Sequence, residues 1–218
     1  MGRRLIYLIP GIGDVLADQL MSGFHPKIKR KITYAEDLKD DELNYLPDEA
    51  RLTIKYLDGN SYSKEEMEEV KKKFVIPFSK NCKKWEIAGS YRRGKFPCND
   101  MDLLVILKIN PVFVNSNKLK IVRNGDRKTK ILFKFSSRFI PIDIFYTEPK
   151  WWVYSLIYFT GSKNFNIYIR GTAKKKGLRL NEYGLFDKNG EQIKKLNTEK
   201  SVMMYILNKY YPPHERSK

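Results

Sequence analysis

Histidine and cysteine are scarce in this chain. The only histidines are His25 and His214, and the two cysteines, Cys82 and Cys98, stand 16 apart without a C-x-x-C pair. A structural zinc site needs about four such ligands, which would take every one of these scattered residues, and a nucleophilic centre built on cysteine or histidine would have to use the same few. Metal chemistry must therefore rest on carboxylates, which select hard ions such as magnesium or manganese. Long apolar runs are missing as well. None approaches the roughly 18 to 20 residues that a bilayer span needs, and the opening MGRRLIYLIPGIG breaks after about five apolar residues, too short for a secretory leader. The expectation is a soluble, intracellular chain with no membrane role, the choice between cytoplasm and nucleus left open.

Acidic residues are in deficit: 25 Asp and Glu against 42 Lys and Arg in 218 residues, a formal net charge of +17. Clustered cations are rewarded by phosphates, so a polyanion is the implied partner, nucleic acid before anionic lipid. A hydrophobic fraction of 42% with 13% aromatics is too high for a disordered basic tail, so the chain should fold. The excess is uneven. Residues 1–60 are near neutral, with 9 basic and 10 acidic side chains, and all of the positive excess follows them.

Periodicity and breakers divide the chain into helices, then a mixed sheet, then a smaller α/β portion. Pro10-Gly11-Ile12-Gly13 leads into a helix that Asp14 can cap, with Val15, Leu16, Gln19 and Leu20 on one face. Helical patterns follow at Tyr34 to Tyr45, Pro47 to Leu57 and from Ser63 to about Lys80, the last with Glu68/Lys72 and Glu69/Lys73 as i,i+4 pairs. Period-two stretches at Trp85 to Ala88, Met101 to Leu107, Lys118 to Val122, Lys130 to Phe135 and Phe139 to Phe145 read as strands. Helices return at Trp151 to Phe159, Phe165 to Lys176 and Thr198 to Tyr210.

The most informative stretch is Gly89-Ser90-Tyr91-Arg92-Arg93-Gly94, followed by Asn99-Asp100-Met101-Asp102. Aspartates at i and i+2 of a strand face the same way, so Asp100 and Asp102 can share divalent cations. A third carboxylate, Asp143, sits in the apolar strand Ile140 to Phe145. Three carboxylates without histidine suit two magnesium ions clamping an in-line phosphoryl transfer, with manganese as a substitute. Gly89 to Gly94 lets backbone amides approach phosphate, and Arg93 supplies a planar fork for it.

The string G-S-x-R-R-G-x5-D-x-D resembles the family X DNA polymerases within the nucleotidyltransferase superfamily. Pro10 to Gly13 with Leu16 and Ala17 is similar to the family's helix-hairpin-helix, Tyr158-Phe159-Thr160-Gly161-Ser162 to its nucleotide-selecting YFTGS turn, and Asn181-Glu182-Tyr183 to its NEY motif. The resemblance implies an α+β fold: a helical helix-hairpin-helix subdomain over 1–60, a nucleotidyltransferase palm with a mixed sheet over 61–147, and a C-terminal nucleotide-selection subdomain over 148–218. It implies that Asp100, Asp102 and Asp143 are catalytic metal ligands. Ser90, Arg93 and Asn99 would hold the triphosphate, Tyr158 and Phe159 would pack on the sugar at the Gly161 turn, and Asn166 would reach the incoming base, with Arg170 on the template. Carbonyls of Tyr7, Ile9 and Ile12 would bind a sodium or potassium ion, and amides near Gly11, Gly13 and Leu16 would face a DNA phosphate.

The implied activity is template-directed filling of short gaps in DNA repair, with deoxynucleoside triphosphate and gapped or nicked duplex as substrates. The chain is expected to act as a monomer, with a DNA ligase as candidate partner. Three departures stand out. Pro141 and Phe145 occupy positions where the family usually has arginines, and Lys163 stands where an acidic residue often meets the incoming base. The hairpin motif already begins at Pro10, so no 5′-deoxyribose phosphate lyase is expected. Terminal transfer without a template is the alternative within the same chemistry, and the short interval from Asp102 to Asp143 speaks against it. A non-catalytic DNA-end-binding scaffold is the alternative outside it, opposed by retention of all three aspartates.

Overall fold

The computed structural model describes residues 3–59, 61–193 and 196–217. They form an α+β protein falling into two compact units. The first lies within Met1–Asn60, Val114–Arg123 and Ile131–Ile140, the second within Ser61–Phe113, Asn124–Lys130 and Pro141–Lys218.

In the first unit a 3-10 turn (Ile6–Leu8) precedes α1 (Asp14–Ser22), two further 3-10 turns (Ala35–Asp37 and Glu42–Tyr45) and α2 (Asp48–Tyr56). Ile6, Leu20, Ile28, Ile32 and Ala50 are wholly buried at its centre. Arg4 closes the C-terminus of α2, donating to the carbonyls of Ile54 (3.1 Å) and Leu57, while its Nε meets Glu36. A cation there satisfies carbonyls that the helix itself leaves open.

Three expectations change here. Gly13, not Asp14, is the N-cap of α1, and it makes no side-chain cap bond. The buried stripe of α1 runs through Ala17 and Leu20, leaving Val15 74% exposed. The helix expected over Tyr34 to Tyr45 is broken into two short turns. Asp37 accepts the N–H of Tyr34 and Glu42 accepts that of Lys39, so local carboxylates compete with helical carbonyls for the donors.

The second unit begins with α3 (Lys64–Val70), capped by a reciprocal Ser63–Glu66 box, and continues through a π-helical stretch (Lys71–Val75) into α4 (Ile76–Ser79). On α3, Glu69 pairs with Lys73 at 2.8 Å as expected, but Glu68 pairs with Lys71. In chain order, strand β1 (Cys82–Ile87), the short α5 (Gly89–Arg92), β2 (Met101–Leu107), β3 (Leu119–Asn124), β4 (Lys128–Phe135) and β5 (Arg138–Tyr146) follow, with nearly all of β3, the end of β4 and the start of β5 counted in the first unit. The strands make one mixed five-stranded sheet in the order β1-β2-β5-β4-β3. β1 runs antiparallel to β2, and β2 runs parallel to β5 with Asp102 opposite Asp143 and Leu104 opposite Phe145. Leu103, Leu104, Val105, Ile142 and Ile144 are fully buried, as befits central strands covered on both faces.

Helices α6 (Trp152–Thr160) and α7 (Lys163–Lys175), the hairpin of β6 (Arg179–Asn181) and β7 (Gly184–Phe186), and α8 (Glu199–Leu207) complete the second unit around Ile157, Ile169, Leu185, Val202 and Met203. α6 is apolar nearly all round, so it is buried, whereas α7 is amphipathic and turns one face to solvent. No helix among the described residues is long and apolar enough to cross a membrane.

Candidate active site

Asp102 lies on β2 and Asp143 beside it on β5, while Asp100 falls in the bend just before β2 instead of on the strand. Even so, the three offer carboxylate oxygens within 4.8 Å of one another. Like charges placed opposite across a ladder repel. Burial, then the charges of Asp100 and Asp143, push the Asp102 carboxyl up to about 8. Burial and the charge of Asp143 likewise raise Asp100, against the pull of Lys130, Lys128 and Arg93.

The Gly-Ser turn is shaped around this cluster. Gly89 has φ +56°, and a β-carbon on it would strike Asp102 Oδ2, so the residue must be glycine for both reasons. Ser90 and Arg93 then line a cavity of about 550 Å³ together with Asp100, Asp102, Tyr158, Phe159, Gly161, Lys163, Asn166 and Arg170. Asn99, exposed beside Asp100, does not line it. Arg93 donates to the carbonyl of Thr160 at 2.5 Å, so its guanidinium spans from the turn to the end of α6. Asn166 donates to the carbonyl of Tyr158 at 2.8 Å and braces the turn at Gly161. The backbone there, at φ +60° and ψ −150°, is one that only glycine adopts readily. Lys163 and Arg170 are exposed at the cavity.

Two of the family departures acquire a physical setting. Phe145, at an expected arginine position, stacks on Phe159 with ring centroids 4.0 Å apart. Pro141 brings no cation to Asp143, and Lys128 of β4 provides one: its Nζ lies 2.7 Å from Asp143 Oδ2. Asp143 Oδ1 is buried and has no hydrogen-bond partner.

Sequence reasoning missed Lys128, one of 42 basic residues with no local pattern to mark it. It also missed a buried network. Arg92 makes a paired contact to Glu199 (2.7 and 3.1 Å) and reaches Thr160 Oγ1, while Arg216, whose side chain is wholly buried, donates to Glu199 from the other side. Its long separation in sequence leaves no motif to read. Cys82 and Cys98 are free thiols, and burial pushes both up, Cys82 to about 11, which suits neither for nucleophilic attack.

In the first unit Tyr7 lies in the 3-10 turn Ile6–Leu8, and Ile9 and Ile12 follow it before α1, with the Ile9 and Ile12 side chains in the core and Tyr7 50% exposed. Gly11 has φ +89° and its Cα lies tight against α2: a β-carbon would come within 2.6 Å of the amide nitrogen of Ala50. Gly13 has open space, and the amides that follow it start α1 without a side-chain cap. In the neighbouring basic cluster Lys27, Lys29 and Lys31 are exposed, whereas Arg30 is engaged by Glu42 and the carbonyl of Asp37. His25 is buried and accepts backbone amides of Lys27 and Ile28, a structural duty.

Residues 155–217 match the family model described as DNA polymerase beta thumb. The chain is similar to the repair DNA polymerase X of African swine fever virus (isolate Tick/Malawi/Lil 20-1/1983), 28% identical over 136 residues that cover 59% of this chain and 78% of that protein. It is also similar to the DNA polymerase/3′-5′ exonuclease PolX of Bacillus subtilis (strain 168), 28% identical over 61% of this chain and 24% of the relative. DNA polymerase lambda of Rattus norvegicus is 28% identical over 59% of this chain and 28% of its own length. The thumb match and the polymerase relatives agree with the carboxylate site and with the resemblance to the family X DNA polymerases.

Proposed function

We propose that the protein is a template-directed DNA polymerase that fills short gaps during repair, transferring a nucleotidyl group from a deoxynucleoside triphosphate to a primer 3′-hydroxyl and releasing pyrophosphate. The observation that carries this reading is the convergence of Asp100, Asp102 and Asp143 beside a cavity lined by Ser90 and Arg93. The donor set fits hard divalent ions. All donors are carboxylate oxygens, one of them is buried without a partner, and the cluster is destabilised by its own charge in the absence of a cation. Magnesium, held by Asp100, Asp102 and Asp143, would supply Lewis-acid neutralisation of charge on the reacting phosphate and favour the ionised hydroxyl.

The remaining duties fall to the chain itself. Ser90 and the Arg93 fork hold the triphosphate by charge-assisted hydrogen bonds, and Asn99, outside the cavity lining, is left to reach it from the exposed bend beside Asp100. Tyr158 and Phe159 present ring faces to the sugar, and the constrained backbone at Gly161 leaves little room for a 2′-hydroxyl. Asn166 addresses the minor-groove edge of the incoming base, where acceptors common to all pairs report pair geometry and not sequence. Arg170 meets the template strand. In the first unit, carbonyls of Tyr7, Ile9 and Ile12 hold a monovalent cation, and the uncapped amides around Gly13 and Leu16 receive a backbone phosphate, assisted by the dipole of α1.

Primer extension on one-nucleotide-gapped DNA tests the proposal. Extension should require divalent metal and the complementary nucleotide, and Asp143→Ala should abolish it. Extension that survives Asp143→Ala would overturn the metal assignment, and addition without a template strand would replace gap filling by terminal transfer.

A further inference from the structure

Asp143 has two oxygens in unlike situations. Oδ2 accepts from Lys128 Nζ at 2.7 Å, whereas Oδ1 is buried without any partner. The ammonium is itself held by two successive same-face residues of β5, since it also lies 4.8 Å from the centroid of the Phe145 ring. The backbone that carries Lys128 is pinned on both sides. The amide of Tyr146 donates to the carbonyl of Arg127 at 3.0 Å, and Thr129 Oγ1 donates to Asn124 Oδ1 while accepting the hydroxyl of Tyr146, at 2.7 and 2.8 Å. A long flexible side chain is thus given a defined seat against a single carboxylate oxygen.

We propose that Lys128 is the positioning residue of the third carboxylate: its ammonium engages Asp143 Oδ2 so that Oδ1 is turned toward the divalent ion, replacing the cation that Pro141 cannot offer. The inference rests on the reading of Asp143 as a metal ligand. Lys128 acts through Asp143, and it touches neither substrate nor reacting atoms. Partners of this kind orient the ligand, and their loss commonly costs about 10- to 100-fold in metal affinity or activity. Bare electrostatics predicts the opposite sign. A positive charge next to a cation site repels the ion, so if Lys128 were only a charge, removing it would tighten binding.

Manganese binding to the full chain, followed by the electron paramagnetic resonance signal of the free ion, separates these cases without reference to turnover. Lys128→Met should weaken manganese binding by about tenfold, lower kcat for gap filling and leave KM for the nucleotide nearly unchanged, and Lys128→Arg should restore most of both losses. Manganese bound as tightly or more tightly by Lys128→Met would overturn the proposal. Should methionine at 128 prevent folding, Lys128→Gln carries the same comparison. Asp143→Asn serves as the separate control: unaltered manganese binding in that variant would remove Asp143 from the metal site and with it the premise, whatever Lys128 does.

Discussion

Asp102 Oδ2 occupies the space that a β-carbon on residue 89 would need, at a backbone position with φ +56°. The glycine of the Gly-Ser turn is therefore a steric condition for seating the central carboxylate. Gly89→Ala should cost about 1–3 kcal/mol through backbone strain. Because the added methyl displaces a reacting-site ligand, extension should fall by about 100-fold. Denaturant unfolding and steady-state gap filling on the same preparation check both numbers.

The three aspartates repel one another when no cation is present, so the site is a local weakness of the fold. Magnesium or manganese should raise the thermal midpoint of the protein. Asp102→Asn should raise the midpoint of the metal-free protein by roughly 2–4 °C per kcal/mol of repulsion relieved, while abolishing extension and most of the metal-induced gain. Calorimetry with and without chelator measures this. A midpoint indifferent to divalent ions would contradict it.

Glu199 sits between Arg92 and Arg216. Burial works to raise its carboxyl, but the hydrogen bonds from Arg92 and the charge of Arg216 outweigh it, and the net displacement is downward from 4.5. A depressed folded-state value means stability that is present above the unfolded value and lost as pH falls through the folded one. Glu199→Gln should cost about 3–5 kcal/mol near pH 7, where it removes the charge paired with the buried Arg216 and the half-buried Arg92. The gap between variant and parent should narrow steadily below about pH 4.5. Urea unfolding at pH 7, 5 and 3.5 traces the convergence.

Lys163 stands exposed at the cavity that Ser90 and Arg93 line, the proposed nucleotide site. Its charge should favour triphosphate binding regardless of base identity. Reversal by Lys163→Asp, a change of two charges, should raise KM for the nucleotide by about 30-fold, the equivalent of about 2 kcal/mol at about 1 kcal/mol per exposed charge, and lower misinsertion relative to correct insertion. Single-nucleotide kinetics with matched and mismatched templates decide the matter, and unchanged fidelity would count against a role for Lys163 in base selection.

The legibility of this protein in its sequence follows the range of the interactions involved. Apolar strand-like stretches locate β2 and β5, but both are buried on both faces, so the register that sets Asp102 opposite Asp143 emerges only from the pairing of the folded sheet. Asp100 joins the cluster from the bend and not from the strand that the alternation suggests, since a residue just outside a strand still projects near it. Local competition for amides defeats the helical reading of Tyr34 to Tyr45: the sequence pattern cannot reveal that Asp37 and Glu42 will take the backbone donors first. Lys128 and the pair Arg92–Glu199 are invisible for a different reason. Each contact joins residues brought together only by folding, and a lysine or glutamate in a chain with 31% charged residues carries no mark of the partner it will find.

The stack of Phe145 on Phe159 links β5 to the end of α6 through water exclusion instead of ion pairing. Contacts of that kind respond weakly to dissolved ions, whereas phosphate neutralisation by a protein of net charge +17 is steeply sensitive to them. Ionic strength should therefore separate two quantities that a family arginine at position 145 would have tied together. Added salt would weaken the grip on DNA while leaving the alignment of the nucleotide cleft intact, so turnover at saturating DNA should persist under conditions that lengthen every search for the next gap.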